Sequence, residues 1–142
     1  MWELLHRIRQ RLALWFGSKP PANSLGARGE QAAEKYLKKL GYRIVDRNVR
    51  LGRCELDLVA VDGRTVVFVE VKTRQNLAAG HPAEAVDAWK QRHLTRAALQ
   101  YLNRHRLTNH RARFDVLAIL WPDATKPPEI QHIQHAFEAL GD

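Results

Sequence analysis

Apolar residues recur at helical spacing in three stretches of this chain and gather into short, largely β-branched runs in five others. The first helical pattern covers residues 2 to about 17, where Leu4, Leu5, Ile8, Leu12, Trp15 and Phe16 make one stripe and Arg7, Arg9 and Arg11 are interleaved. Gly17 to Asn23, with Pro20 and Pro21, reads as a linker. A second helix is expected from Ser24 to about Leu40, stopped by Gly41. Its inward stripe would be Gly26, Gly29, Glu30, Ala33, Tyr36, Leu37 and Leu40, with Gln31, Glu34, Lys35 and Lys38 toward water. A third helix is expected over about Ala83 to Arg104, with Val86, Trp89 or Lys90, His93 or Leu94, Ala97, Tyr101 and Leu102 inward. Strands are expected at Tyr42–Val45, on both sides of Asp62-Gly63 within residues 54–73, at Phe114–Leu120 and at Ile130–Ile133. Residues 75–82 form a loop. The order α-β-β-β-α-β-β implies an α/β fold, a mixed sheet flanked by helices. An N-terminal helix and linker (1–23) would precede one core domain (24–142).

Charge breaks the apolar pattern in two kinds of place. The runs Cys54–Val61 and Thr65–Thr73 flank an Asp-Gly turn signal, yet carry Glu55, Asp57, Glu70 and Lys72. Alternation along a strand puts Glu55 with Asp57 and Glu70 with Lys72. A two-residue turn at Asp62-Gly63 would set Glu55 opposite Glu70. A loop from Asp62 to Thr65 would instead set Asp57 opposite Glu70 and Glu55 opposite Lys72. Either register gathers the four on one face, with opposed Cβ atoms roughly 5 Å apart. Like charges that close are destabilising without a counter-ion. In the helices, Glu30 and Lys90 fall on inward sides where packing gives no reason for charge.

Length, composition and charge narrow the classes. A chain of 142 residues can bury a proper core as one domain. A formal net charge of +8 favours polyanionic partners, nucleic acid or an anionic surface. Cys54 is the lone cysteine, which fits a reducing compartment and a cytoplasmic location. No apolar run reaches the roughly 20 residues of a membrane-spanning helix, and no secretory signal pattern is visible. The basic N-terminal stripe would suit a surface or partner anchor, or a helix packed on its own domain.

Carboxylates among hard oxygen donors suit Mg²⁺ or Mn²⁺ rather than zinc. Such a cation held against a phosphodiester polarises it and helps ionise water, and a lysine beside it orients that water. Asp57, Glu70 and Lys72 meet that need, with the Val71 carbonyl as an extra ligand, Glu30 as a further ligand or base, and Lys90 and Gln91 approaching from the third helix. Each has a plainer reading: Glu70-Val71-Lys72 as an ion pair, Asp57 at an edge, Glu30 facing a helix dipole, Lys90 snorkelling to water. Together they are harder to explain without a shared purpose, because unpaired buried charges cost several kcal/mol each. His132-x-x-His135, His105 and His110 lack companions at zinc spacing and read as surface residues. Asp115 would support a sheet edge or pair with Arg113.

A resemblance gives these residues a common frame. Gly29-Glu30-x-x-Ala33-x-x-Tyr36-Leu37, Gly41-Tyr42, Asn48-x-Arg50, Glu55-Leu56-Asp57-Leu58-Val59-Ala60, Val67 to Arg74, Lys90 and Arg113-Phe114-Asp115-Val116 occur in order over about residues 24–120. In combination they resemble the bacterial YraN-type family of uncharacterised, nuclease-like proteins, similar in fold to restriction endonucleases and archaeal Holliday-junction resolvases, the PD-(D/E)xK group. The resemblance implies Asp57 as the first acid, Glu70 as the second, Lys72 as the lysine and Glu30 as the helical glutamate. Leu56 stands where the archetypal proline would, and Cys54 replaces the usual glycine before Glu55.

The expectation is therefore a Mg²⁺- or Mn²⁺-dependent endonuclease acting on DNA, selective for structure (branched DNA included) more than for sequence. Catalytic and metal roles would fall to Asp57, Glu70 and Glu30, with Lys72 catalytic, and Glu55, Lys90 and Gln91 in support. Arg28, Arg50, Arg53, Arg74 and Lys90 would bind DNA phosphates. A homodimer would suit a junction-cutting role. The alternative is a nucleic-acid-binding module that keeps the nuclease fold without turnover.

Overall fold

Ser24 accepts a hydrogen bond from the Ala27 amide (3.1 Å) and so starts the first helix of this computed structural model, which describes residues 23–139. The N-terminal helix expected before residue 23 lies outside the described residues. Helix α1 (Leu25–Lys39) ends in a Schellman turn: the Tyr42 amide donates to the Leu37 carbonyl, the Gly41 amide to that of Lys38, and Gly41 sits at φ +91°. Its buried arc is Ala27, Gly29, Ala33 and Leu37. Gly26 and Leu40, expected inward, are exposed. Gly26 lies in the first turn, one position off the arc, and Leu40 is the cap residue where the chain already leaves the helix. Glu34, expected in water, is partly covered because it ion-pairs with both Lys38 (2.6 Å) and Arg47.

The sheet has five strands in the order β1-β2-β3-β4-β5. Strand β1 (Arg43–Leu51) runs well beyond the expected Tyr42–Val45. Its polar residues find places: a bulge between Ile44 and Asp46 turns Asp46 to accept from the Tyr101 hydroxyl (3.3 Å), and Asn48 adopts φ +49°. Strands β2 (Cys54–Asp62) and β3 (Thr65–Arg74) form the expected hairpin. Its turn is Gly63-Arg64, one residue later than Asp62-Gly63, with Gly63 at φ +60° in the first central position. Val61 therefore pairs with Val66, the register of the longer of the two loops considered above. A short 3₁₀ turn (Pro82–Ala85) precedes α2 (Ala88–Arg104). This helix begins at residue 88, not 83, because Asp87 caps it by accepting from the Lys90 amide at 2.8 Å. Strand β4 (Ala112–Leu120) lies parallel to β3 after this crossover, and β5 (Glu129–Ile133) adds an antiparallel edge.

Helix α1 covers the sheet face carrying Leu58, Ala60, Val67, Val69, Leu117 and Ile119. Helix α2 covers the other, with Val59, Val61, Val66, Phe68 and Phe114. Leu56 and Cys54 pack with the α2 cluster although Leu58, two residues on, packs with α1. Strict alternation forbids that, so β2 twists sharply through Asp57, opposite the left-handed Asn48. The result is an α/β fold with a mixed five-stranded sheet flanked by helices, compatible with a restriction-endonuclease-like arrangement. Among the described residues no helix is long and apolar enough to cross a membrane.

Candidate active site

The ladder between β2 and β3 stops at Leu58–Val69, while β3 continues against β4 as far as Arg74. Continuing the register would set Asp57 across from Glu70, but the strands part there. The ladder bond lost at Val71 is replaced by a side chain: the Val71 amide donates to Asp57 Oδ2 at 2.8 Å. Glu70 stays on the central strand and is 4% exposed. Its Oε1 faces two ammonium groups, Lys72 at 3.2 Å and Lys90 at 3.5 Å, the latter from α2. Its Oε2 is buried without a hydrogen-bond partner. An orphaned carboxylate oxygen this deep is costly and asks for a reason.

The electrostatics show where compensation is missing. Burial, then the Glu70 charge, drive the Asp57 carboxyl well above its ordinary range, although the Val71 amide opposes this. Glu30 is raised to about 7, first by burial and next by Glu55. For Lys90, burial alone would weaken the ammonium, but Glu70 and the neighbouring Cys54 and Asp57 outweigh it and raise the group. Burial also raises the Cys54 thiol beside these residues. Burial first, and neighbouring carboxylates second, thus hold Asp57 and Glu30 above their ordinary range.

Glu30 and Glu55 form a second cluster, and the residue that joins them was not among the expected site residues. With its amide oriented to donate, Asn48 places its nitrogen 2.9 Å from Glu30 Oε2 and 3.0 Å from Glu55 Oε1. Its sequence signal is the Asn48-x-Arg50 motif quoted above, which carries no role by itself because the segment shows no strand pattern. Glu55 does not share the face of Glu70 and Lys72, because of the twist at Asp57. It turns toward Asn48 and lies 4.0 Å from Arg50. Gln91 is also drawn off: its amide donates to the Val86 carbonyl (3.1 Å) and ties the start of α2.

The basic residues border this region unevenly. Arg50 and Arg53 are exposed at the β1–β2 turn. Arg74 donates to the Thr73 carbonyl (3.3 Å) at the end of β3. Arg28 lies over the Trp121 ring, 4.4 Å from its centroid.

On β4, where Asp115 pairs with Val69 one position before Glu70, a different cluster corrects the reading of His132 and His105 as surface residues. Asp115 is fully buried, accepts from Arg113 Nε at 2.9 Å and lies 2.8 Å from His132 Nε2; the His132 side chain is 6% exposed. Arg113 also reaches Asp62 (2.9 Å) and the Tyr42 hydroxyl (2.7 Å). His105 is buried against Tyr101. The missed signal was placement: His132 alternates inward on an edge strand, and His105 closes the last turn of α2.

Among the described residues, no three His, Cys, Asp or Glu side chains enclose a common metal position. Asp57 and Glu70 nevertheless fit a hard divalent cation. Each spends one oxygen on a protein donor, and the Glu70 Oε2 that remains is orphaned beside an Asp57 whose charge lacks compensation.

The sequence pattern described as uncharacterised protein family UPF0102 matches residues 29–119, which include Glu30, Asn48, Asp57, Glu70, Lys72 and Lys90. The chain is 53% identical over 116 residues to a UPF0102 protein of Geobacter sulfurreducens, a span covering 80% of this chain and 88% of that protein. It is 43% identical over 129 residues to one of Rhodopirellula baltica (89% and 77%). Over 113 residues it is 43% identical to one of Caldicellulosiruptor saccharolyticus (80% and 96%).

Proposed function

The chain belongs to the UPF0102 family, and we propose that it is a divalent-metal-dependent endonuclease that cleaves DNA phosphodiester bonds, selecting structure more than sequence. One observation carries this reading: two buried carboxyls meet where strands part, one with an orphaned oxygen and the other pushed far above its ordinary range, with a lysine at 3.2 Å. Asp57 and Glu70 would hold Mg²⁺ or Mn²⁺, with Glu30 and the Val71 carbonyl as further oxygen donors. When bound, the cation supplies polarisation of the phosphoryl oxygen and ionisation of the attacking water.

The chain's own groups divide the remaining work. The Lys72 ammonium, partly exposed, can reach water on the solvent side while Glu70 fixes its position. Lys90 holds the same Glu70 oxygen from the opposite side and keeps the carboxylate aimed. Glu30, with its proton equilibrium near neutrality, can accept a proton from water at working pH. Arg28, Arg50, Arg53 and Arg74 would contact phosphates and set the strand's position without reading bases.

The test is cleavage of branched, flapped, single-stranded and linear DNA with Mg²⁺ or Mn²⁺. The wild type should cut at least one of these. Asp57→Asn and Lys72→Ala should each lose about 100-fold or more. No cleavage by the wild type, or equal cleavage by the variants, would overturn catalysis at this site.

A second reading, a DNA-binding module without turnover, draws on the absence of any three-ligand metal position among the described residues and on the two ammonium groups already facing Glu70. The two readings differ on Lys72→Ala. A nuclease should keep most of its duplex affinity in that variant, since one phosphate contact among several is lost. A binder would lose much of it.

A further inference from the structure

Trp89 is 60% exposed although it stands one residue before Lys90, whose ammonium holds Glu70. Its environment is ordered. The His93 ring lies against the indole with centroids 3.8 Å apart and planes tilted by 31°. His93 is itself fixed, because its Nδ1 lies 2.8 Å from the Trp89 carbonyl one helical turn back. Packing thus covers part of the indole with an imidazole and leaves the rest to solvent.

The surroundings indicate what would cover it. Helix α2 carries Lys90, Arg92, Arg96 and Arg104 and has no acidic residue along its length. A flat π surface on a helix whose own charged residues are all basic, with the capping Asp87 spending an oxygen on the Lys90 amide and Lys90 reaching Glu70, is complementary to a polyanion that also presents flat rings. Paired bases in a duplex hide their faces in the stack. Unpaired bases, in a single strand or at a branch point, expose them. We propose that Trp89, backed by His93, is a stacking platform for an unpaired base of a DNA strand entering the site, so that the enzyme selects DNA with a single-stranded segment beside the bond to be cut. This rests on the nuclease reading and deepens it, naming the feature of the substrate that is recognised.

Stacking of a base on an aromatic side chain tolerates any sequence and needs no hydrogen-bond pattern. The selectivity would therefore depend on strand structure alone. In a helix, successive residues are separated by about 100° around the axis. Trp89 therefore leaves the helix in a different direction from Lys90, whose ammonium reaches Glu70, and the stacked base would be a different nucleotide from the one cleaved.

The experiment measures binding by the full chain with divalent cations chelated, so that no cleavage enters the result. Fluorescence anisotropy would compare three labelled ligands: a mixed-sequence single strand, the blunt duplex of the same length, and a single strand of abasic residues with identical phosphates. Trp89→Ala should weaken the base-bearing single strand by about tenfold to a hundredfold, as expected for one lost stack. Its affinity for the abasic strand and the duplex should stay within about twofold of wild type, since no phosphate contact is removed. Trp89→Phe should recover most of the single-strand affinity. Equal affinity of Trp89→Ala and wild type for the base-bearing strand would overturn the proposal. So would an equal loss on all three ligands, which would make Trp89 a support for the helix, or a variant that changes self-association while DNA binding is unchanged, which would make it a protein contact. Failure of the nuclease reading appears separately, as a wild type that binds single strands through Trp89 yet never cuts them.

Discussion

Glu30 reports the electrostatic state of the site as a single residue. Its carboxyl ionises at about 7 rather than 4.5, chiefly through burial and then Glu55, while Asn48 opposes the shift. The folded chain therefore holds a proton that the unfolded chain has lost. Stabilisation from this group is complete below pH 4.5 and is lost as pH rises through 7. With chelator present, the denaturation midpoint should fall between about pH 5 and about pH 8, and Glu30→Gln should flatten that part of the profile. A wild-type midpoint rising over this window would contradict the assignment. Asp57 makes the complementary case. Removing its charge while keeping an acceptor for the Val71 amide, as in Asp57→Asn, should stabilise the metal-free protein at alkaline pH and raise its urea midpoint. The same change should abolish cleavage. Stability given up at a site and regained on substitution is what separates a functional cluster from a structural one.

Elements place these residues, and close approach sets how tightly. A Cβ on Gly29 would lie 1.8 Å from Thr73 Oγ1 and 2.9 Å from Thr73 Cβ, so α1 touches the end of β3 through a glycine. Gly29→Ala should cost about 1–3 kcal/mol and shift Glu30 away from the strands. Adding Thr73→Ala should recover part of that cost, because the hydroxyl contact disappears while the Cβ contact stays; additive losses would show that the two do not touch. The hairpin explains what periodicity conveyed. Its strands and even register followed from β-branched runs and an Asp-Gly turn signal, but the turn moved to Gly63-Arg64, because Gly63 takes the positive φ of the first central position. Strand β1 was read short since Asp46, Arg47 and Asn48 break alternation. Their partners, Tyr101 and Glu34 among them, come from other elements, and no local pattern encodes them. Likewise Asp115 pairs with His132 across strands β4 and β5. Asp115→Ala should cost about 3–5 kcal/mol, since Arg113 would lose its buried counter-charge and His132 its hydrogen-bond partner. Hydrogen exchange should then rise first in β5.

At the scale of the whole molecule, a net charge of +8 acts over distances no single contact reaches. If Arg28, Arg50, Arg53 and Arg74 meet phosphates, with Lys90 spent on Glu70, duplex affinity should drop by about 100-fold between 50 and 200 mM salt. A flat salt response would remove the basic surface from DNA binding. The two helices contribute opposite chemistry to one cleft. Helix α1 brings Glu30 to the carboxylates, and α2 brings Lys90 to Glu70, so the site lies where both faces of the sheet meet at the parting of β2 and β3.

The chain by itself determined the element order, the mixed sheet, and the identity of Asp57, Glu70, Lys72, Glu30 and Lys90 as charges that packing does not explain. Those are properties of spacing and residue type, which a linear pattern carries directly. Only the tertiary structure decided that Glu55 turns away toward Asn48, that Gln91 serves its own helix, that His132 is buried on Asp115, and that Trp89 remains open to solvent. Each depends on the twist at Asp57 or on a contact between elements distant in sequence. Such contacts are set by the direction in which a side chain leaves the backbone once strands have coiled and helices have docked.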